Sequence, residues 1–212
     1  MTESTHDQDE KEPQAAAAEK GSIDRRSFLT GSGAVAAATA LHSQPTPIQA
    51  STGTVVEQGW QAITLQVNGK AVNVHVEPRT TLLEVLRYQL DLTGAKPVSA
   101  DGSSGASTVM VDGKPKTAST LLAIACRKKS IQTIESLGGE NPDEVAKAFV
   151  ACDALQCGFC TPGFVVAVRA FLNKNPKATD EEIRQGLNGN ICRCGTYNNI
   201  VKAATAIVKG VN

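Results

Sequence analysis

The chain has 212 residues, of which 41% are hydrophobic, 4% aromatic and 20% charged, and its 21 Lys and Arg balance its 21 Asp and Glu. That length holds one or two domains once a leader is removed, with cores that must be aliphatic. The even charge argues against nucleic acid or an anionic membrane as partner, six cysteines are too few for a disulfide scaffold of this size, and no apolar run is a confident membrane span.

Residues 1–50 read as a disordered leader. Within it, Asp24-Arg25-Arg26-Ser27-Phe28-Leu29-Thr30 is followed by a mild Ala, Gly and Val stretch to Ala40. Two arginines ahead of Phe-Leu read as a twin-arginine export signal, which directs a chain to the periplasm. The alternative is a basic pair before a short helix. Ala38-Thr39-Ala40 is one cleavage candidate and Ala50 a second. Residues 51–59, with Gly53, read as a linker.

Residues 60–138 predict a β-grasp domain. Ile63, Leu65 and Val67 alternate with polar residues, Asn68-Gly69 is a hairpin turn, and Val72, Val74 and Val76 alternate again. His75 falls on the polar face of that strand and reads as surface. Thr81 caps a helix over Leu82–Arg87. Thr108–Val111, the turn Asp112-Gly113 and Lys116–Ser119 predict a second hairpin, and Ile131–Ile134 a late strand. Leu121–Cys126 is an apolar helical stretch whose thiol reads as buried packing.

Residues 139–212 change character after Gly138-Gly139 and Asn141-Pro142. Four helices are predicted here: Asp143–Val150, Pro162–Leu172, one opened by the capping box Thr179-Asp180-Glu181-Glu182, and Asn199–Lys209. Thr161 reads as the N-cap of the second and Asn198 or Asn199 as the cap of the fourth. The fold class is therefore α+β, a β-grasp domain followed by an all-α four-helix domain.

Four cysteines sit in the loops between those helices. Gln156-Cys157-Gly158-Phe159-Cys160 supplies a C-x2-C pair, and Cys192-Arg193-Cys194 a C-x-C pair thirty-one residues on. Four thiolates at one place suit a soft metal or a small iron–sulfur cluster. A [2Fe–2S] cluster, structural zinc and paired disulfides all remain open on spacing alone. Cys152 reads as a packing residue, and a disulfide to Cys126 has no support.

Gln156 to Gly163 and Gly189 to Tyr197 match long runs, Q-C-G-[FY]-C-T-P-G and G-N-[IL]-C-R-C-[GT]-x-Y, of a known family. Over residues 60–210 the chain resembles the small iron–sulfur subunit of the molybdenum hydroxylases, the xanthine dehydrogenase and aldehyde oxidoreductase group, and most of all its periplasmic aldehyde-oxidising members. The resemblance implies a plant-ferredoxin-like β-grasp domain and a helical [2Fe–2S] domain. It makes Cys157, Cys160, Cys192 and Cys194 the cluster ligands. It puts Gln156 and Cys194 at the approach to a molybdopterin cofactor on a partner subunit, where aldehydes or N-heterocycles are oxidised. A flavin subunit or a cytochrome then takes the electrons.

The first domain departs from the family. Where C-x4-C-G-x-C and a later cysteine are expected, this chain has Ser99, Ser104, Ser107 and Ser119, with Gly102 and Gly105 kept and Val98 in place of a glycine. An aliphatic hydroxyl ionises far less readily than a thiol, so four serines are expected to hold no second [2Fe–2S] cluster. The leading expectation is a one-cluster electron-transfer subunit. Its rivals are a redox-silent structural or export-escort subunit and a cysteine-ligated zinc protein.

Overall fold

The alternation of Ile63, Leu65 and Val67 with polar residues builds β1 (Gln61–Val67), and that of Val74 and Val76 builds β2 (Lys70–Val76). The structure is a computed structural model that describes residues 58–210, so the leader with Arg25 and Arg26 lies outside it. The two strands pair antiparallel from Gln61 with Val76 to Val67 with Lys70. The apolar positions fall on one buried face, and Thr64, Asn73 and His75 face solvent. Asn68 at φ 50° and Gly69 at φ 77° make the left-handed pair that a two-residue hairpin needs.

Thr81 and Glu84 form a reciprocal capping box that opens α1 (Leu82–Glu84), which runs on as a π-helical turn, Val85–Gln89. Leu82, Val85 and Leu86 cover the buried face of the hairpin. Strand β3 (Thr108–Val111) pairs antiparallel with β4 (Lys114–Thr117) and with β5 (Ser130–Gln132), and β5 pairs parallel with β1. The mixed sheet has the order β2-β1-β5-β3-β4.

Three boundaries differ from expectation, the first being the late strand, which runs over Ser130–Gln132 and gives way to a 3-10 turn at Ile134–Leu137. The left-handed pair Asp112 (φ 50°) and Gly113 (φ 72°) closes the hairpin at once, so β4 starts at Lys114 and Ser119 lies beyond the strand. The helical stretch ending at Cys126 shrinks to a 3-10 turn, Ala123–Cys126. The Cys126 thiol is buried in the sheet's core, and burial pushes it up from its ordinary value.

After residue 143 come α2 (Glu144–Ala151), α3 (Thr161–Lys174), α4 (Asp180–Gly186) and α5 (Tyr197–Val208). With α1 these make five α-helices among the described residues. Asp143 caps α2 and is also bonded by Arg169 of α3, which reaches Glu144 at 3.0 Å. The box of Thr179 and Glu182 caps α4 as expected. Thr161 is not a cap. The Cys160 carbonyl already accepts the Phe164 N–H at 3.1 Å, so the helix begins one residue early. Nor is Asn199 a cap: its Nδ2 donates to the Asp153 carbonyl at 2.9 Å and ties α5 to the loop before Cys157.

Two apolar cores result. One holds Ile63, Leu65, Val109 and Ile131 of the sheet with Leu82 and Leu86. The other holds Phe149, Phe164, Val168, Ile183 and Ile200 of the helices. Strand β3 and helix α3 join them. Val109 and Val111 face the first core, while Met110 on the other face packs against Val166 and Ala170 of α3. All four residues of β3 are therefore buried, as in a strand covered on both sides. Among the described residues no helix is long and apolar enough to cross a membrane. Met110→Ala is expected to lower stability by about 2–5 kcal/mol, read as a shift of the urea midpoint, because it empties the joint between the cores. An unmoved midpoint would contradict this packing.

Candidate metal centre

Two loops converge between helices. The α2–α3 loop carries Cys157 and Cys160, with Cys160 at the N-cap position of α3. The α4–α5 loop carries Cys192 and Cys194, two residues ahead of Thr196, the N-cap residue of α5. Both helices present their N-terminal ends, where backbone N–H groups favour negative charge.

The four thiols lie close enough to act on one another's acidity, Cys157 with Cys194 and Cys160 with Cys192 most directly, with the Cys192 and Cys157 charges reaching across both pairs. Among the described residues no three His, Cys, Asp or Glu side chains gather around one point as the ligands of a single ion do. All six cysteines are free thiols. Cys126 and Cys152 pack against different cores, so neither can reach the other.

One pair lies outward and the other inward. Cys157, Cys194 and Gln156 are exposed, beside the exposed Phe159 and Ile191. Cys192 is 5% exposed and Cys160 half-buried. The Cys192 N–H donates to the Tyr197 hydroxyl at 2.8 Å, and its thiol shares a 3.2 Å hydrogen bond with Thr196 Oγ1. The Tyr197 ring stands edge-on to Phe164 of α3 at 6.2 Å between centroids, so the two helix starts brace each other.

These surroundings spread the thiol acidities. Burial works to raise Cys192, but hydrogen bonds from the Thr196 side chain and backbone, then Cys160, outweigh it and hold the thiol at about 7. Burial pushes Cys160 up to about 12, helped by the Cys192 hydrogen bond and by the charges of Cys192 and Cys157. The Phe159 N–H and the Cys194 side chain lower Cys157. The Cys157 backbone works to lower Cys194, but the Cys157 side chain and the nearby thiolate charge carry it up.

The four serines repeat the same two-by-two pattern in oxygen. Ser99 Oγ and Ser104 Oγ lie 2.8 Å apart, and Ser107 Oγ donates to Ser119 Oγ at 3.1 Å. The Ser104 and Ala106 N–H groups donate to Ser99 Oγ and Ser104 Oγ, and the Ser119 N–H to Ser107 Oγ. Hydroxyls and backbone N–H groups stitch this loop together. Sequence reasoning singles out none of Asn190, Thr196 and Tyr197 as working residues. All three lie inside the run Gly189 to Tyr197, which is their only signal.

Residues 133–205 match the family described as [2Fe-2S] binding domain, and residues 22–42 match the TAT (twin-arginine translocation) pathway signal sequence. The chain is 38% identical over 148 residues to a probable xanthine dehydrogenase subunit of Bacillus subtilis, covering 70% of this chain and 86% of the relative. It is 36% identical over 198 residues to the aldehyde oxidoreductase iron-sulfur-binding subunit PaoA of Escherichia coli, covering 86% of each. The crystal structure of quinoline 2-oxidoreductase from Pseudomonas putida 86 superposes with a TM-score of 0.68 at 36% identity, over 72% of this chain and 96% of that one.

Fold and site thus define an iron–sulfur electron-transfer protein with a ferredoxin-like sheet and a helical part. The chain belongs to the small iron–sulfur subunits of the molybdenum hydroxylases, the xanthine dehydrogenase and aldehyde oxidoreductase family. Turnover in such enzymes is on a partner subunit that holds the molybdopterin cofactor, and the twin-arginine signal exports this chain to the periplasm. Tyr197→Phe keeps the ring on Phe164 but leaves the Cys192 N–H without its acceptor. It is expected to cost about 1–3 kcal/mol in urea unfolding of the metal-free chain, and no loss would contradict the bond.

Proposed function

We propose that Cys157, Cys160, Cys192 and Cys194 hold the chain's one [2Fe–2S] cluster, and that the site of Ser99, Ser104, Ser107 and Ser119 holds none. The observation that carries this is the placement of four free thiols on the two loops that start α3 and α5, within the stretch matched by the [2Fe-2S] binding domain family. When bound, such a cluster supplies a one-electron relay. The chain's own residues keep one ligand pair inside the protein and the other at the surface, and Tyr197 and Thr196 fix Cys192 between them.

On this reading residues 60–138 are the β-grasp domain and residues 139–212 the four-helix iron–sulfur domain. Gln156 and Cys194 face the molybdopterin of the catalytic partner. The hydroxyl pairs at 2.8 and 3.1 Å are satisfied by one another and by backbone N–H groups, which leaves no ionised donor for iron. The usual second step toward a flavin subunit is then missing, and electrons pass from the single cluster to an external acceptor such as a cytochrome. The names of the relatives point to aldehydes or N-heterocycles as the compounds oxidised by the complex.

A paired set of variants tests the ligand assignment. Cys192→Ser is expected to abolish the visible absorption of the purified complex. Replacing Ser99, Ser104, Ser107 and Ser119 together by Cys is expected to raise iron per chain about twofold, since that completes a second four-thiolate set. Unchanged absorption in the first, or unchanged iron in the second, would contradict the proposal.

A further inference from the structure

The serine loop touches the loop that carries Cys192. The Ile191 N–H donates to the Ser104 carbonyl at 2.9 Å, and Asn190 Nδ2 donates to the Gly105 carbonyl at 2.9 Å. Asn190 is buried at 8% exposure, and its Nδ2 also reaches Thr108 Oγ1 at 3.4 Å. Thr108 Oγ1 in turn donates to the Gly105 carbonyl at 2.6 Å. Both residues directly before Cys192 are thus held by residues more than eighty positions earlier in the chain.

The approach is close enough to demand glycine. Gly105 sits at φ +66°, and a Cβ there would lie 2.4 Å from the Gly189 carbonyl oxygen and 2.6 Å from Asn190 Nδ2. A Cβ at Gly163, in the first turn of α3, would lie 2.5 Å from the Gly105 carbonyl oxygen. Three backbone segments therefore meet at one point: the serine loop, the helix start behind Cys160 and the loop ahead of Cys192. The two carbonyls that do the holding are those of Ser104 and Gly105. Their orientation depends on Ser104, whose N–H is taken by Ser99 Oγ and whose hydroxyl bonds Ser99 and takes the Ala106 N–H.

We propose that the serine loop works as a clamp that positions Cys192 for the cluster in the helical part, with Asn190 and Ser104 as its positioning residues. The hydroxyl pairs hold the loop in shape, the loop's carbonyls hold Asn190 and Ile191, and these set Cys192 against Cys160. The stretch without a metal is then coupled to the stretch that binds one. This rests on the assignment of Cys157, Cys160, Cys192 and Cys194 as ligands.

The test uses the full complex and reads the reduced cluster by EPR, its midpoint potential by redox titration, iron loss to a chelator, and the circular dichroism melting curve. The variants are Ser99→Ala with Ser104→Ala, Ser104→Thr, and Asn190→Asp, with the exposed Ser103→Ala as control. The double variant is expected to keep its dichroism spectrum, to shift the EPR lines and the potential, and to bind iron about tenfold more weakly, the scale seen when groups behind a metal ligand are removed. Ser104→Thr keeps the hydroxyl and is expected to restore wild-type behaviour, and Ser103→Ala to change nothing. Asn190→Asp turns a donor into an acceptor facing a carbonyl and is expected to act as the double variant does. If it fails to fold, the serine variants decide. A double variant that folds with EPR lines, potential and iron retention like the wild type overturns the clamp. A wild-type complex with no such EPR signal overturns the ligand assignment and the clamp with it.

Discussion

Helix α3 has to satisfy two surfaces at once, and the rest of the molecule follows from that. Phe164, Val165, Val168 and Leu172 belong to the helical core, while Val166 and Ala170 press on Met110 of the sheet. A helix buried on both sides cannot slide or turn without opening one core, because close-packed interiors tolerate little displacement. Its first turn is therefore a fixed point. Cys160 stands at that point, Gly163 lets the serine loop come within contact of it, and Phe164 receives the ring of Tyr197. Cys160 is thus placed by helix packing more than by the loop that carries it.

Much of this is legible in the residues. The alternating valines, Asn68-Gly69 and the capping boxes at Thr81 and Thr179 report local physics, and each appears where local physics puts it. The cysteine spacing leaves cluster, zinc and disulfides open, and the long runs Gln156 to Gly163 and Gly189 to Tyr197 are what point to the family. What stays hidden depends on contacts between distant parts of the chain. Asn190 looks like any polar loop residue until Gly105 arrives beside it. Thr161 has the composition of a cap, yet the Cys160 carbonyl starts the helix first, and the buried Thr161 hydroxyl finds no partner among the described residues. The turn Asp112-Gly113 is legible in the sequence, but the pairing of Val111 with Lys114 directly across it, which starts β4 two residues early, shows only in the register of the sheet.

The serine loop shows what an oxygen-for-sulfur exchange preserves and what it removes. Serine and cysteine differ little in size, and the four serines lie in pairs, Ser99 beside Ser104 and Ser107 beside Ser119. The bonding reverses in kind. Thiolates accept a metal and leave the surrounding N–H groups to sulfur, whereas hydroxyls close on each other and take those N–H groups themselves. Leu65, Val76, Leu86 and Ile131 are buried in a core of their own beside that loop.

The account's central claim is that this chain carries a single relay, held by sulfur in its helical part. The most direct measurement is EPR of the dithionite-reduced complex with iron and acid-labile sulfide counted on the same sample. One [2Fe–2S] signal with about two irons and two sulfides per chain is the predicted result. Two distinct signals with about four irons, or no iron at all, would contradict it.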